Sequence, residues 1–122
     1  MGNKPTYNIS KFMNGEIIEI VLTGEATDDC VENLKNEVNA IVNLMNPKSL
    51  LADFRTLKIP RVLSESFSSI INYPPLFHVK TAVVDLPENA EFQNFYETVA
   101  NNAGVKMKWF TDIDIARDWL KS

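Results

Sequence analysis

The strongest constraint on how this chain folds is the run Glu16–Thr23, which sets Ile18, Ile20 and Leu22 on one side of an extended strand and Ile17 and Val21 on the other. Successive side chains of a strand point to opposite faces. A strand apolar on both faces belongs inside a sheet that is covered on both sides. The preceding run, Tyr7–Phe12, alternates, and Asn14-Gly15 follows it. That pair is well suited to the two positive φ angles of a type I′ turn. Together the two runs predict an antiparallel hairpin, with Gly24 ending its second strand.

Beyond the hairpin, helical and extended patterns alternate. Thr27 is the expected N-cap of a first helix, with Asp28, Asp29 and Glu32 at the positive end of its dipole. Val31, Leu34, Val38, Ile41 and Met45 recur at helical spacing, and Asn46-Pro47 stops the pattern. Ser49–Phe54 is short and nearly all apolar, as a buried parallel strand is. Arg55–Ile59 then reads as a loop, and Pro60 as a first-turn residue of a second helix. That helix carries Leu63, Phe67, Ile70 and Ile71 on one side and ends at Pro74-Pro75.

Val79–Asp85 is the next predicted strand. Pro87 opens a third helix with Phe92, Phe95, Tyr96, Val99 and Ala103 inward, and Gly104 is placed as its left-handed C-terminal residue. Val105–Phe110 alternates apolar residues with lysine, a pattern that protects an edge strand. Thr111 is the expected cap of a last helix, with Ile115, Ala116, Trp119 and Leu120 inward and Asp112 and Asp114 in its first turn.

The order β-β-α-β-α-β-α-β-α predicts an α/β fold: a five-stranded mixed sheet with one antiparallel N-terminal hairpin, the remaining strands parallel, and four helices. Strands joined through helices run parallel, by right-handed crossovers. At 122 residues the whole chain, 1–122, is expected to form one domain.

This order, with "LLADFRTL" before the second helix and the closing "WFTDIDIARDWL", resembles the STAS fold of the bacterial anti-sigma-factor antagonists. The ending is also similar to that of STAS-like proteins of the SEC14/CRAL-TRIO group. The resemblance spans Tyr7 to Leu120 and implies a non-enzymatic regulatory module. It also implies a phosphate-accepting serine, in an Asp-Ser-Ser-Gly-like turn at the start of the second helix. The corresponding stretch is Lys58-Ile59-Pro60-Arg61-Val62-Leu63-Ser64, with none of the Asp, Ser or Gly in place. Ser64 comes about a helical turn late, so the phospho-switch does not carry over.

Composition narrows the remaining classes. Twelve basic against sixteen acidic residues, mixed along the chain, give a net charge of −4. That balance argues against nucleic acid and anionic membranes, whose binders gather Lys and Arg on one face. Met1–Lys11 is polar and lacks the apolar core of a secretory signal, and no apolar run is long enough for a membrane span. The cytoplasm is the expected compartment.

Cys30 and His78 are single, too few for a disulfide, a tetrahedral metal site or a triad. The glycines are too scattered for a phosphate loop. No cofactor, metal or catalytic residue is assigned.

Asp53 and Asp85 end two parallel strands, and ligands of open α/β sheets bind beyond such ends. Arg55 is within reach of the same place, although Asp53 and Arg55 pairing with each other is the simpler reading. Arg55, Lys58 and Arg61 form the densest basic patch of the chain and lead into a helix N-terminus. A protein partner or an anionic ligand is therefore expected at Asp53, Arg55, Lys58, Arg61 and Asp85. The alternative is a small-molecule or lipid carrier, or a minor enzyme, with a pocket at the same strand ends. Tyr73, Leu76 and Phe77, apolar residues in a turn, either plug the core or form a partner surface. A second copy of the chain is an admissible partner as well.

Overall fold

The structure is a computed structural model and describes residues 7–25, 31–58 and 79–122. Five strands form one sheet in the order β1-β2-β3-β4-β5. They are β1 (Tyr7–Asn14), β2 (Ile17–Glu25), β3 (Ser49–Lys58), β4 (Lys80–Val84) and β5 (Met107–Phe110). The pair β1–β2 is antiparallel and every other neighbouring pair is parallel. β5 lies at the edge that its lysines predict.

Three α-helices are described rather than four: α1 (Val31–Met45), α2 (Ala90–Asn102) and α3 (Ile113–Lys121). The helix expected from Pro60 lies outside the described residues, as do Thr27, Cys30 and His78.

The both-face apolar run organises the two layers. Ile18, Ile20 and Leu22 pack with Leu50 and Ala52 of β3 against Leu34, Ile41 and Val42 of α1. Tyr96 and Ala100 of α2 pack beside β5 with Val105 and Met107. On the opposite face Ile17 joins Leu51, Ala82 and Val84 under Ala116 and Leu120 of α3. Strand order follows chain order, so every right-handed crossover steps the same way across the sheet. The α1 and α2 crossover helices accordingly share a face, and α3 alone occupies the other among the described residues.

Local expectations fail in instructive places. Asn14 pairs with Ile17, so the turn's central residues are Gly15 and Glu16, not Asn14 and Gly15. Only Gly15 has positive φ, at 65°, the pattern of a type II′ turn. Gly24 does not end β2, because the strand continues to Glu25 with Gly24 at φ 92°. Met45, Phe95 and Ile115, expected inward, are exposed at 39%, 57% and 57%. Buried places on α1 and α2 go instead to Val42 and Asn39, and to Gln93 and Ala100.

The largest correction concerns Arg55–Lys58. These residues continue β3 as a strand and are not a loop. Val21 pairs with Asp53, but Thr23 pairs with Thr56, so β3 carries one extra residue there. Such a bulge shifts the alternation by one. It turns Leu57 onto the α1 core, where it is buried.

The last helix is capped by Asp112, not by Thr111. The Asp112 carboxylate accepts from the N–H groups of Asp114 at 2.8 Å and Ile115 at 3.2 Å. At the other end Lys80 of β4 donates to the Trp119 carbonyl at 2.7 Å, and its ammonium lies 4.5 Å from the Trp119 ring centroid. Both charges oppose the helix dipole with the correct sign. Asp112→Ala is expected to cost about 1 kcal/mol of stability in urea denaturation, the usual loss for an N-cap. Thr111→Ala should stay within about 0.5 kcal/mol of the unmodified protein, as exposed substitutions do.

Candidate functional site

The bulge in β3 shapes the carboxyl end of the sheet. β4 ends at Val84, opposite Asp53. β3 therefore overhangs β4 by five residues, Phe54–Lys58, with β2 on one side and no described strand on the other. An open cleft of about 380 Å³ lies there, lined by Arg55, Thr56, Leu57 and Lys58 of the overhang and by Leu86, Glu88 and Asn89.

Asp53 and Arg55 are brought together as a closed pair. Arg55 Nε donates to Asp53 Oδ1 at 3.0 Å and Nη2 to Oδ2 at 2.8 Å, while the Arg55 N–H also reaches Oδ1 at 3.1 Å. Burial opposes ionisation of Asp53, but these bonds and the charges of Arg55 and Arg117 outweigh it. The pKa falls below the ordinary 3.8. Its hydrogen bonds to Asp53 in turn hold the Arg55 guanidinium above its usual range.

Asp85 is separate from this pair and does not line the cleft. Its carboxylate accepts from the Leu86 N–H at 2.7 Å, from Asn89 Nδ2 at 2.8 Å and from Gln93 Nε2 at 2.7 Å. It fastens the turn after β4 to the start of α2. Lys58 is exposed on the overhang. Arg61, Tyr73, Leu76 and Phe77 lie outside the described residues. Asn89, which lines the cleft, has a buried Oδ1 with no partner among the described residues.

The residue that the sequence reading passed over is Glu19. It sits among the isoleucines of β2 and is 1% exposed. An ionised carboxylate there must be paired. Arg117 of α3 supplies the pair from 98 residues away, Nε to Oε2 and Nη2 to Oε1, each at 2.8 Å. Asn14 Nδ2 adds a third bond at 3.1 Å. Arg117 lowers the Glu19 pKa below the ordinary 4.5, against the opposing effects of burial and of the Asp53 charge. The signal was available, since one charge inside "IIEIV" demands a partner. Its partner was not identifiable, because Arg117 looks like any surface arginine of a helix.

The arrangement can bind but is poorly set for proton transfer. A general acid or base works best with a pKa near the working pH. Glu19 and Asp53 are both shifted the other way by fixed guanidinium partners. Among the described residues no group of three or more His, Cys, Asp and Glu side chains is placed to hold a metal ion. No helix among them is long and apolar enough to cross a membrane.

No protein-family model matches the sequence, and a search of curated proteins finds no match. Solved structures do match in fold. An anti-sigma factor antagonist from Mycobacterium paratuberculosis superimposes with a TM-score of 0.69 at 13% identity, covering 95% of each chain. A DUF3478-family protein with a SpoIIAA-like fold from Shewanella loihica gives 0.64 at 16% identity over 98% of each chain. The unphosphorylated form of the anti-sigma factor antagonist SpoIIAA gives 0.60 at 13% identity, covering 94% of this chain and 98% of its own. The STAS-like fold implied by the sequence is thus the fold of the chain.

The Glu19–Arg117 pair carries a stability prediction. Arg117→Ala leaves a buried carboxylate unpaired and should cost about 3 kcal/mol, the lower end for breaking a buried pair. Because the folded pKa of Glu19 lies below its ordinary value, its contribution is complete above pH 4.5 and disappears as pH falls through the folded pKa. Glu19→Gln should therefore flatten the acid limb of a melting-temperature profile while leaving a basic limb unchanged. An acid limb as steep as that of the unmodified protein would contradict the assignment.

Proposed function

We propose that the chain is a non-enzymatic regulatory module that acts as one cytoplasmic domain and binds a protein partner at the carboxyl end of its sheet. The observation that carries this reading is the β3 overhang. Arg55, Thr56 and Lys58 stand there in a solvent-open cleft with Glu88, while the neighbouring carboxylates Asp53 and Asp85 are committed to structural bonds. Residues on loops and strand ends, held by a rigid sheet, are where binding concentrates. Arg61 belongs to the proposed surface on sequence grounds, whereas Tyr73, Leu76 and Phe77, which precede the start of β4 in the sequence, are kept as a separate candidate partner surface.

The fold supports the protein-binding reading. Two of the similar structures are anti-sigma factor antagonists, proteins named for a protein target. The absent Asp-Ser-Ser-Gly-like turn makes binding independent of a phosphoserine switch. A small ligand is the second reading, favoured by the open cleft of about 380 Å³ itself. Lys58 would then face an anionic group of the same ligand.

Affinity capture with unmodified and Lys58→Glu/Arg61→Glu baits, quantified by mass spectrometry, tests the surface. The charge reversal should weaken capture of the specific partner by roughly tenfold, as changes at an interface rim charge do. A Lys106→Glu bait, altered at an exposed residue before β5, should capture it unchanged. Melting should be nearly unaffected in both, since Lys58 and Lys106 are exposed and exposed charges contribute little to stability. Equal capture by all three baits would place the site elsewhere. Stoichiometric phosphate on Ser64 after treatment with a serine kinase would restore the switch that the sequence lacks.

A further inference from the structure

The sheet has two edges, and they are finished differently. β5 is four residues long, and α2 closes its outward backbone with side chains. Asn101 Nδ2 donates to the Met107 carbonyl at 3.0 Å, and the Trp109 N–H donates to Glu97 Oε1 at 3.0 Å. Lys106 and Lys108 are exposed beside them. Caps and lysines are ways in which an edge is kept from pairing.

Among the described residues β1 has neither cap nor lysine pair. It is eight residues long, contains no proline, and pairs with β2 without a register shift. The two-residue turn makes Asn14–Ile17 a hydrogen-bonded pair, so the even-numbered residues of β1 exchange their backbone bonds with β2. The backbone groups of Ile9, Lys11 and Met13 consequently point away from the sheet. No described side chain bonds to them. Phe12 and Met13 are exposed at 47% and 46%, on opposite faces of the same edge.

The geometry points to β1 as a homodimer interface, in which two copies pair antiparallel about a two-fold axis to make a continuous ten-stranded sheet. An isologous contact requires a surface complementary to itself, and a strand edge is complementary to its own antiparallel copy. Register selects the axis. Centred on Lys11, the pairing would oppose two like charges. Centred on Phe12, it sets Phe12 against the partner's Phe12 in a close, non-hydrogen-bonded pair. The outward groups of Lys11 then bond those of the partner's Met13. Met13 gains the aliphatic stem of the partner's Lys11 as cover. This register covers both exposed apolar side chains and satisfies the outward backbone groups of Lys11 and Met13, while Ile9 lies opposite the partner's Gly15 at its turn. It does not depend on the binding surface proposed above.

Sedimentation velocity of the full chain, from low micromolar to hundreds of micromolar, tests the interface, since a dimer forms by mass action. A reversible dimer is expected. Phe12→Lys should raise its dissociation constant roughly tenfold or more, as loss of a central apolar contact does, with an unchanged circular dichroism spectrum. On a Cys30→Ser background, Phe12→Cys should form an intermolecular disulfide on mild oxidation. Cα atoms of a non-hydrogen-bonded pair lie about 4.5 Å apart, within bridging range. Met13→Cys, opposite Lys11 in this register, should not cross-link. A monomer at every concentration overturns the proposal, including one that captures an extended peptide at β1. So does a dimer that Phe12→Lys leaves intact and Phe12→Cys fails to cross-link. If Phe12→Lys does not fold, the cross-linking pair decides alone.

Discussion

A carboxylate at the centre of a sheet is the condition around which this structure is arranged. Glu19 lies on β2 with isoleucine before and after it, and an unpaired charge there would be too costly to keep. Arg117 meets it with both arms of the guanidinium fork, and that requirement fixes where α3 rests and how it is turned. The helix has nine residues, too few to be stable alone. It is held by the Asp112 cap at its start, Arg117 in its middle and Lys80 at its end. Apolar burial of Ala116 and Leu120 then has a fixed geometry in which to act. A buried ion pair contributes less net stability than its short distances suggest. Its effect here is on placement: it gives the only described helix on that face one seat.

Strand order limits function as strongly as packing does. Doubly wound sheets bind ligands in the crevice formed where strand order reverses. This sheet runs from β1 to β5 without reversal, so no such crevice arises between its parallel strands. The expectation that Asp53 and Asp85 would flank a shared ligand site drew on the general rule. The two strands are indeed neighbours, but the carboxylates serve separate structural ends. What the carboxyl end offers is a step, created because β3 outruns β4. The single extra residue in β3 within that step keeps Leu57 in the core.

The parts of the fold that were legible in the sequence are those governed by period and punctuation. Ile17–Leu22 dictated an interior strand, the helical pattern read between each later strand pair dictated parallel pairing, and alternating lysines dictated the β5 edge. The failures came where a tertiary contact outweighed a local pattern. Leu57 extends β3 because its side chain finds the α1 core, although Arg55, Thr56 and Lys58 around it read as loop. Asp112 takes the cap from Thr111 because a cap is set by backbone geometry one residue finer than composition resolves. Phe95 and Ile115 stay outside because each helix has fewer core-facing positions than apolar residues. In the candidate site, the Asp53–Arg55 pair was foreseeable from spacing in an extended chain. The Glu19–Arg117 pair, closed over 98 residues, was not.

The polar groups on the α3 side of the sheet form a connected electrostatic unit, and this decides what the neighbouring cleft presents to a partner. Arg117 neutralises Glu19 and also favours the ionised form of Asp53. Asp53 neutralises Arg55, whose charge is further favoured by Asp112 at the start of α3. Each guanidinium is thus compensated before it reaches solvent. The basic character expected of the Arg55–Lys58 segment is accordingly halved, and Glu88 on the opposite wall offsets the lysine that remains. A surface of this kind carries no strong field to steer a highly charged ligand. In the binding mode proposed above it would discriminate instead by the positions of individual donors and acceptors, since a misplaced buried polar group costs more than a well-placed one gains. That is the mode of recognition suited to the polar rim of a protein–protein contact, where Thr56, Lys58 and Glu88 supply both signs of hydrogen-bonding partner within one narrow step of the sheet.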